Sequence, residues 1–232
     1  MDRLILWDVD GTLIHSSGIG AAVFDRALER VVGTAPMSTL VLGGKTDPQI
    51  ALEYMEAMAV DDADGKLALV LEAVEAEVAA AATLLAETGN AMPGLRELLA
   101  RLDAEEGVHQ SLLTGNTSAN AAVKVTAFGL QQWLDLEVGA YGSDHADRRQ
   151  LVPIAVERAR RLRGWDVDAA AAWVVGDTAN DLACARAGGA RCLLVATGKV
   201  SLKELEGLGA DCVLQDLSNT DAVVRILTDR DR

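Results

Sequence analysis

Apolar residues in this chain fall into short runs that end in polar turns, and these runs alternate with stretches of helical period. Residues 4–9 form the first apolar run, suited to a buried strand. Residues 15–20 are polar and glycine-containing, a flexible exit from it. The spacing predicts a helix over 21–32, with Ala22, Phe24, Ala27, Leu28, Val31 and Val32 on one face, and a second helix over 50–58. Residues 61–87 read as a long alanine-rich helical stretch with room for one break, stopped by Gly89. A linker over 90–94 carries the breaker pair Pro93-Gly94. Beyond it, strands and helices alternate: helix 95–102, a strand ending at Thr114, helix 119–128, strand 134–138, helix 150–162, strand 172–175, strand 191–195 and a short strand 212–214. Alternation of this kind predicts an α/β fold with a doubly wound parallel sheet. Ligands in such sheets bind outside the carboxyl ends of the strands.

Three of the predicted strand ends carry chemistry. The first run leads into Asp8-Val9-Asp10-Gly11-Thr12. Alternation puts Asp8 and Asp10 on the same side. Two acids there repel unless a divalent cation joins them, and a carboxylate beside such a cation can attack phosphorus while its neighbour moves a proton. The second is Ser111-Leu112-Leu113-Thr114-Gly115-Asn116-Thr117, where a hydroxyl and backbone N–H groups at a helix start suit an anion. The third is Val174-Val175-Gly176-Asp177-Thr178-Ala179-Asn180-Asp181, with two acids four apart near a helix start and Gly188 as its stop. Capping by Asp177 or Thr178 accounts for one of those polar groups, but not for two acid clusters at strand ends in one chain.

In this order, the motifs Asp8-x-Asp10-Gly11-Thr12, the hydroxyl at Thr114 and Gly176-Asp177-x-x-x-Asp181 resemble those of the haloacid dehalogenase superfamily of phosphohydrolases. The resemblance covers nearly the whole chain. It implies Asp8 as nucleophile forming an aspartyl-phosphate, and Asp10 as general acid and then base. It implies Mg²⁺ held by Asp8, the backbone carbonyl of Asp10, and Asp177, with Asp181 behind or bridged by water. Thr114, with the N–H groups of Gly115 and Asn116, would hold phosphoryl oxygens. The family also places a cation after the third strand, commonly Lys-Pro. Here the region reads Tyr141-Gly142-Ser143-Asp144-His145-Ala146-Asp147-Arg148-Arg149, without lysine. Arg148 is the choice, Arg149 the alternative and His145 a remote third.

By the same resemblance, residues 15–88 form a helical cap inserted into a core of 1–14 and 89–232. A lid of this kind excludes water from the site. Within it, Gly43-Gly44-Lys45-Thr46-Asp47-Pro48 lies between two helices. Lys45 could touch the non-reacting part of the substrate. It could equally be a solvated lysine, with Asp47 capping the next helix.

Composition narrows partners. With 21 basic and 35 acidic residues the net charge is −14, which argues against nucleic acid and anionic membranes. A phosphate substrate must then be held by local cations. No apolar run is long enough to span a membrane. Cys184, Cys192 and Cys212 lack metal-ligand spacing and read as buried thiols, so cytoplasm is the expectation. Trp7 and Trp173 are expected in the core and His15 in a structural place. Aromatics make up 3% of the chain, too few for a base-stacking platform. The expected activity is hydrolysis of a small phosphate monoester such as phosphoglycolate or a sugar phosphate, by a monomer or homodimer. A sugar-phosphate mutase uses the same acids. A 2-haloacid dehalogenase is disfavoured by Asp10, and a non-enzymatic binding module by the presence of all four acids.

Overall fold

A computed structural model gives the structure of residues 2–37 and 40–229. The outer limits expected for the core, residues 1 and 232, lie outside the described residues. A parallel sheet runs β5-β4-β1-β6-β7-β8, from β1 (Arg3–Trp7), β4 (Val108–Thr114), β5 (Ala140–Tyr141), β6 (Ala172–Gly176), β7 (Arg191–Val195) and β8 (Cys212–Leu214). Both faces of β1, β6 and β7 are buried, so these strands are largely continuous apolar runs rather than alternating ones, while β4 also carries His109, Gln110 and Ser111. Alternation decides which helix each side chain meets. Ile5 and Trp7 point to one face, with Trp173, Val175, Leu193 and Val195. They pack on α5 (Leu95–Asp103), α6 (Ser118–Ala127) and α10 (Thr220–Thr228). Leu4 and Leu6 point to the other face, with Val174 and Leu194, onto α7 (Leu151–Arg163), α8 (Ala179–Gly188) and α9 (Leu202–Glu206). Helices on both faces make the fold doubly wound. The strand order reverses at β1, which lies between β4 and β6, the three strands that carry the motifs.

The chain leaves the sheet after β1 through β2 (Ile14–His15) and returns through β3 (Asn90–Ala91), and these two pair antiparallel. Between them lie α1 (Ile19–Val32), α2 (Asp47–Ala57), α3 (Ala63–Ala80) and α4 (Ala82–Thr88). The first three share their own apolar cluster, including Phe24, Leu28, Tyr54, Met55 and Val74. On α1 the buried positions are Val23, Phe24, Ala27 and Leu28, so Val23 replaces the expected Ala22. The long alanine-rich stretch breaks at Ala81, and Leu85 beyond the break packs with the sheet's cluster instead.

One predicted element is absent. Residues 134–138 form a turn and loop, and the strand is displaced to Ala140–Tyr141. The Asp135 carboxylate accepts from Glu137 N at 3.1 Å and its carbonyl accepts from Val138 N at 3.3 Å. This local hydrogen bonding competes with ladder pairing, although Leu134 and Val138 are buried as a strand would bury them.

Candidate active site

Three carboxylates meet at the carboxyl ends of β1 and β6. Asp8, Asp177 and Asp181 each place an oxygen within 4.8 Å of the others, and all three are buried. Asp8 follows β1 directly. Asp177 follows β6 and lies before the N-cap Thr178, so it is not on the helix as the four-residue spacing had suggested. Asp181 sits in the first turn of α8. Its Oδ2 accepts from Thr178 N at 3.0 Å and from Thr178 Oγ1 at 2.7 Å, a capping box that fixes its rotamer. Gly11 (φ +90°) lets the chain pass this trio, since a Cβ there would come 2.5 Å from Asp177 Oδ2.

Arg148 lies in a short 3-10 turn, Arg148–Gln150, after β5. Its Nη2 donates to Asp8 Oδ1 at 3.0 Å and to Asp181 Oδ1. Arg149 points away to Asp147 and is exposed. His145 accepts from Asp147 N. Among the described residues Arg148 is therefore the cation bonded to the acid trio. One guanidinium does not balance three carboxylates. Burial raises the Asp177 carboxyl well above its ordinary range, and repulsion from Asp8 and Asp181 adds to it. Burial raises Asp8 as well, opposed by Arg148. Hard, oxygen-only donors with surplus negative charge fit a magnesium-like divalent cation.

Asp10 has different company. Its Oδ2 accepts from Lys124 Nζ at 2.6 Å and from Asn116 Nδ2 at 2.9 Å. Burial opposes ionisation, but Lys124 and hydrogen bonds from Lys124, Asn116 and Ser16 outweigh it and hold this carboxyl below its ordinary value. The Asp10 carboxylate is thus engaged by Lys124 and Asn116 and is not part of the acid trio, which leaves its backbone carbonyl as the candidate metal ligand. Lys124 escaped the reading of the sequence. Its signal was present: Asn120 and Lys124, four apart on a helix of small apolar residues, share the buried stripe with Ala121 and Val125.

Thr114 ends β4 and is buried. Its Oγ1 accepts from Asn116 Nδ2 at 2.9 Å, which leaves its O–H hydrogen available to an incoming oxyanion. The start of α6 is only partly open to such an anion. Thr117 N already donates to Asp47 Oδ2 at 2.9 Å, and Asn120 Nδ2 donates to the same oxygen at 2.8 Å. Asp47 is not the cap of α2. Thr46 is, accepting from Gln49 N at 3.2 Å, and Asp47 crosses to α6 instead. The same loop seats its backbone on the turns after β4 and β5: Asp47 N donates to Gly115 O at 2.7 Å and Thr46 Oγ1 to Ala146 O at 2.7 Å. Gly115 has no room for a side chain, because a Cβ would collide with the Lys45 carbonyl. The Lys45 side chain is partly buried. It pairs with Glu53, which also accepts from Gln49 Nε2 at 2.9 Å. His15 is exposed on β2, while Trp7 and Trp173 are buried.

The haloacid dehalogenase-like hydrolase family matches residues 5–186, and the chain belongs to it. Two curated relatives are phosphoglycolate phosphatases. The one from Cupriavidus necator, plasmid-encoded, is 29% identical over 226 residues, covering 95% of this chain and 92% of that protein. The one from Pseudomonas fluorescens is 27% identical over 210 residues, covering 85% of this chain and 71% of that protein. A hydrolase from Pseudomonas syringae has the same fold, with a TM-score of 0.70 at 20% identity over 97% of this chain and 99% of that one. The protein is thus an enzyme of a hydrolase family, with phosphatases among its relatives. No helix among the described residues is long and apolar enough to cross a membrane.

Proposed function

We propose that the protein hydrolyses a small-molecule phosphate monoester through an aspartyl-phosphate on Asp8, with Mg²⁺ as cofactor. The observation that carries this reading is the buried trio Asp8, Asp177 and Asp181, of which Asp8 and Asp181 pair with the single guanidinium of Arg148. Asp8, Asp177 and the Asp10 carbonyl would hold the ion, with Asp181 behind them. Bound there, it would neutralise charge on the carboxylates and supply Lewis-acid polarisation of the phosphoryl group. An Asp8 oxygen bonds to phosphorus as the ester oxygen leaves, and Asp10, ionised in the free site, relays to that oxygen a proton taken up with the substrate. Asp10 then takes a proton from the water that attacks the aspartyl-phosphate, releasing phosphate and restoring Asp8. Arg148 fixes the Asp8 rotamer and balances charge as the dianion arrives. The Thr114 hydroxyl and the N–H groups of Gly115 and Asn116 receive phosphoryl oxygens.

Residues 15–88 act as a lid over this chemistry, and Lys45 meets the remote end of the substrate. A lysine already paired with Glu53 can exchange that partner for a substrate carboxylate. Together with relatives named phosphoglycolate phosphatase, this favours a small anionic phosphate. The test is phosphate release from a panel of phosphate esters, with Mg²⁺ and with excess chelator. Release that requires the cation and is fastest on a small anionic ester is expected. Full activity in chelator rejects the metal, and an isomerised sugar phosphate in place of free phosphate rejects hydrolysis.

A further inference from the structure

Lys124 is 7% exposed in the middle of α6, among alanines and a valine, yet its ammonium reaches the cleft. It donates to Asp10 Oδ2 at 2.6 Å and to Asn116 Oδ1 at 2.7 Å. Asn116 closes the circuit, because its Nδ2 donates both to Asp10 Oδ2 and to Thr114 Oγ1, each at 2.9 Å. Four side chains from β4, α6 and the two loops thus form one connected network. A buried ammonium is costly to desolvate, and an apolar residue of similar volume is often no worse for stability. A lysine spent on one half-open carboxylate therefore calls for a role beyond holding the fold.

We infer that Lys124 is a positioning residue for Asp10, which it holds through Oδ2, with Asn116, in register with the phosphoryl-binding Thr114. With Oδ2 taken by two donors, proton exchange with the leaving group and with water falls to Oδ1. The inference rests on the reading of Asp10 as the acid. Its competitor is that Lys124 serves closure of the insert, since its charge also acts on Asp47.

The test is a double-mutant cycle on the Mg²⁺-loaded enzyme: wild type, Lys124→Met, Asp10→Asn and the pair. Each is assayed for kcat and KM on an alkyl phosphate and on an aryl phosphate with an acidic leaving group. Lys124→Met should lower kcat on the alkyl ester at least about tenfold, a part of the roughly 10²–10⁴ that general acid–base catalysis contributes. KM should hold, and the aryl ester should lose far less. In the Asp10→Asn background the Lys124 substitution should cost nothing further on either ester. Lys124→Arg, which keeps the charge, should recover part of the alkyl-ester kcat. Equal losses on the two esters, or an undiminished loss in the Asp10→Asn background, would overturn the inference and point to closure. If Asp10→Asn itself hits both esters equally, the failure lies with the acid assignment of Asp10. Should Lys124→Met not fold, Lys124→Gln carries the same cycle.

Discussion

The two halves of this cleft hold their acids in opposite ways. On the β1–β6 side, Arg148 pairs with Asp8 and Asp181 but not with Asp177, and burial with mutual repulsion drives Asp177 and Asp8 toward the protonated form. On the β4–α6 side, Asp10 is bonded to the Lys124 ammonium and the Asn116 amide, which hold its carboxyl below the ordinary value. The difference follows from the number of cations per carboxylate, because both sides are close to the same strand ends. A surplus of buried negative charge is a standing demand for a cation, whereas a balanced pair is a fixed instrument. The first half is suited to bind metal and phosphorus, and the second to move a proton.

The comparison can be broken most severely at Asp8. Asp8→Asn should abolish turnover while the protein stays folded, because the amide keeps the shape but is a poor nucleophile. Wild-type turnover by the folded variant would remove Asp8 from the reaction. Next in size is Asp10→Asn, expected to cost on the order of 10²–10⁴ in kcat with an alkyl phosphate and much less with an acidic leaving group. Steady-state rates across a leaving-group series measure this.

Stability separates the halves in a different way. Asp177 has a raised carboxyl in the fold, so the native state keeps a proton that the unfolded chain has already lost. Without metal, stability should therefore fall as pH rises above the ordinary carboxylate range. Asp177→Asn should flatten that fall, raise the melting temperature of the metal-free protein and remove most of the upward shift that Mg²⁺ gives the wild type. Thermal melts across pH, with and without Mg²⁺, check all three; an unchanged Mg²⁺ shift in the variant would exclude Asp177 as a ligand. Arg148→Met should act oppositely, leaving two buried carboxylates without their partner at a cost of about 3–5 kcal/mol.

The smallest effect is expected at Lys45, outside both halves. Lys45→Ala should lower kcat/KM for the preferred anionic phosphate and leave a small aryl phosphate nearly untouched. Equal losses on both would indicate impaired closure of the loop that Thr46 and Asp47 dock on the sheet side.

What was legible in the sequence divides along the same line. The acids Asp8, Asp10, Asp177 and Asp181 stand at strand ends, where a run of apolar residues announces them, and Arg148 lies a short interval before a helix. The partners that set their behaviour are less visible. Lys124 and Asn120 lie inside a helix whose period reads simply as core, and only the fold shows that its buried stripe faces the cleft. Asp47 was one candidate cap for the next helix, but Thr46 took that role and freed Asp47 to meet α6. The strand expected at 134–138 failed for a related reason, since Asp135 satisfied its neighbours locally. Short-range hydrogen bonds and contacts between distant helices are what apolar periodicity leaves out.

The central claim is that phosphorus passes through Asp8. It is tested most directly by incubating the Asp10→Asn variant, which should be slow to hydrolyse the intermediate, with an aryl phosphate carrying radiolabelled phosphorus and Mg²⁺. After an acid quench, peptide mapping locates the label. The account predicts one hydroxylamine-labile phosphoryl group on the peptide holding Asp8, and none when Asp8→Asn is added. Turnover with no covalent label, or a label on any other residue, would contradict it.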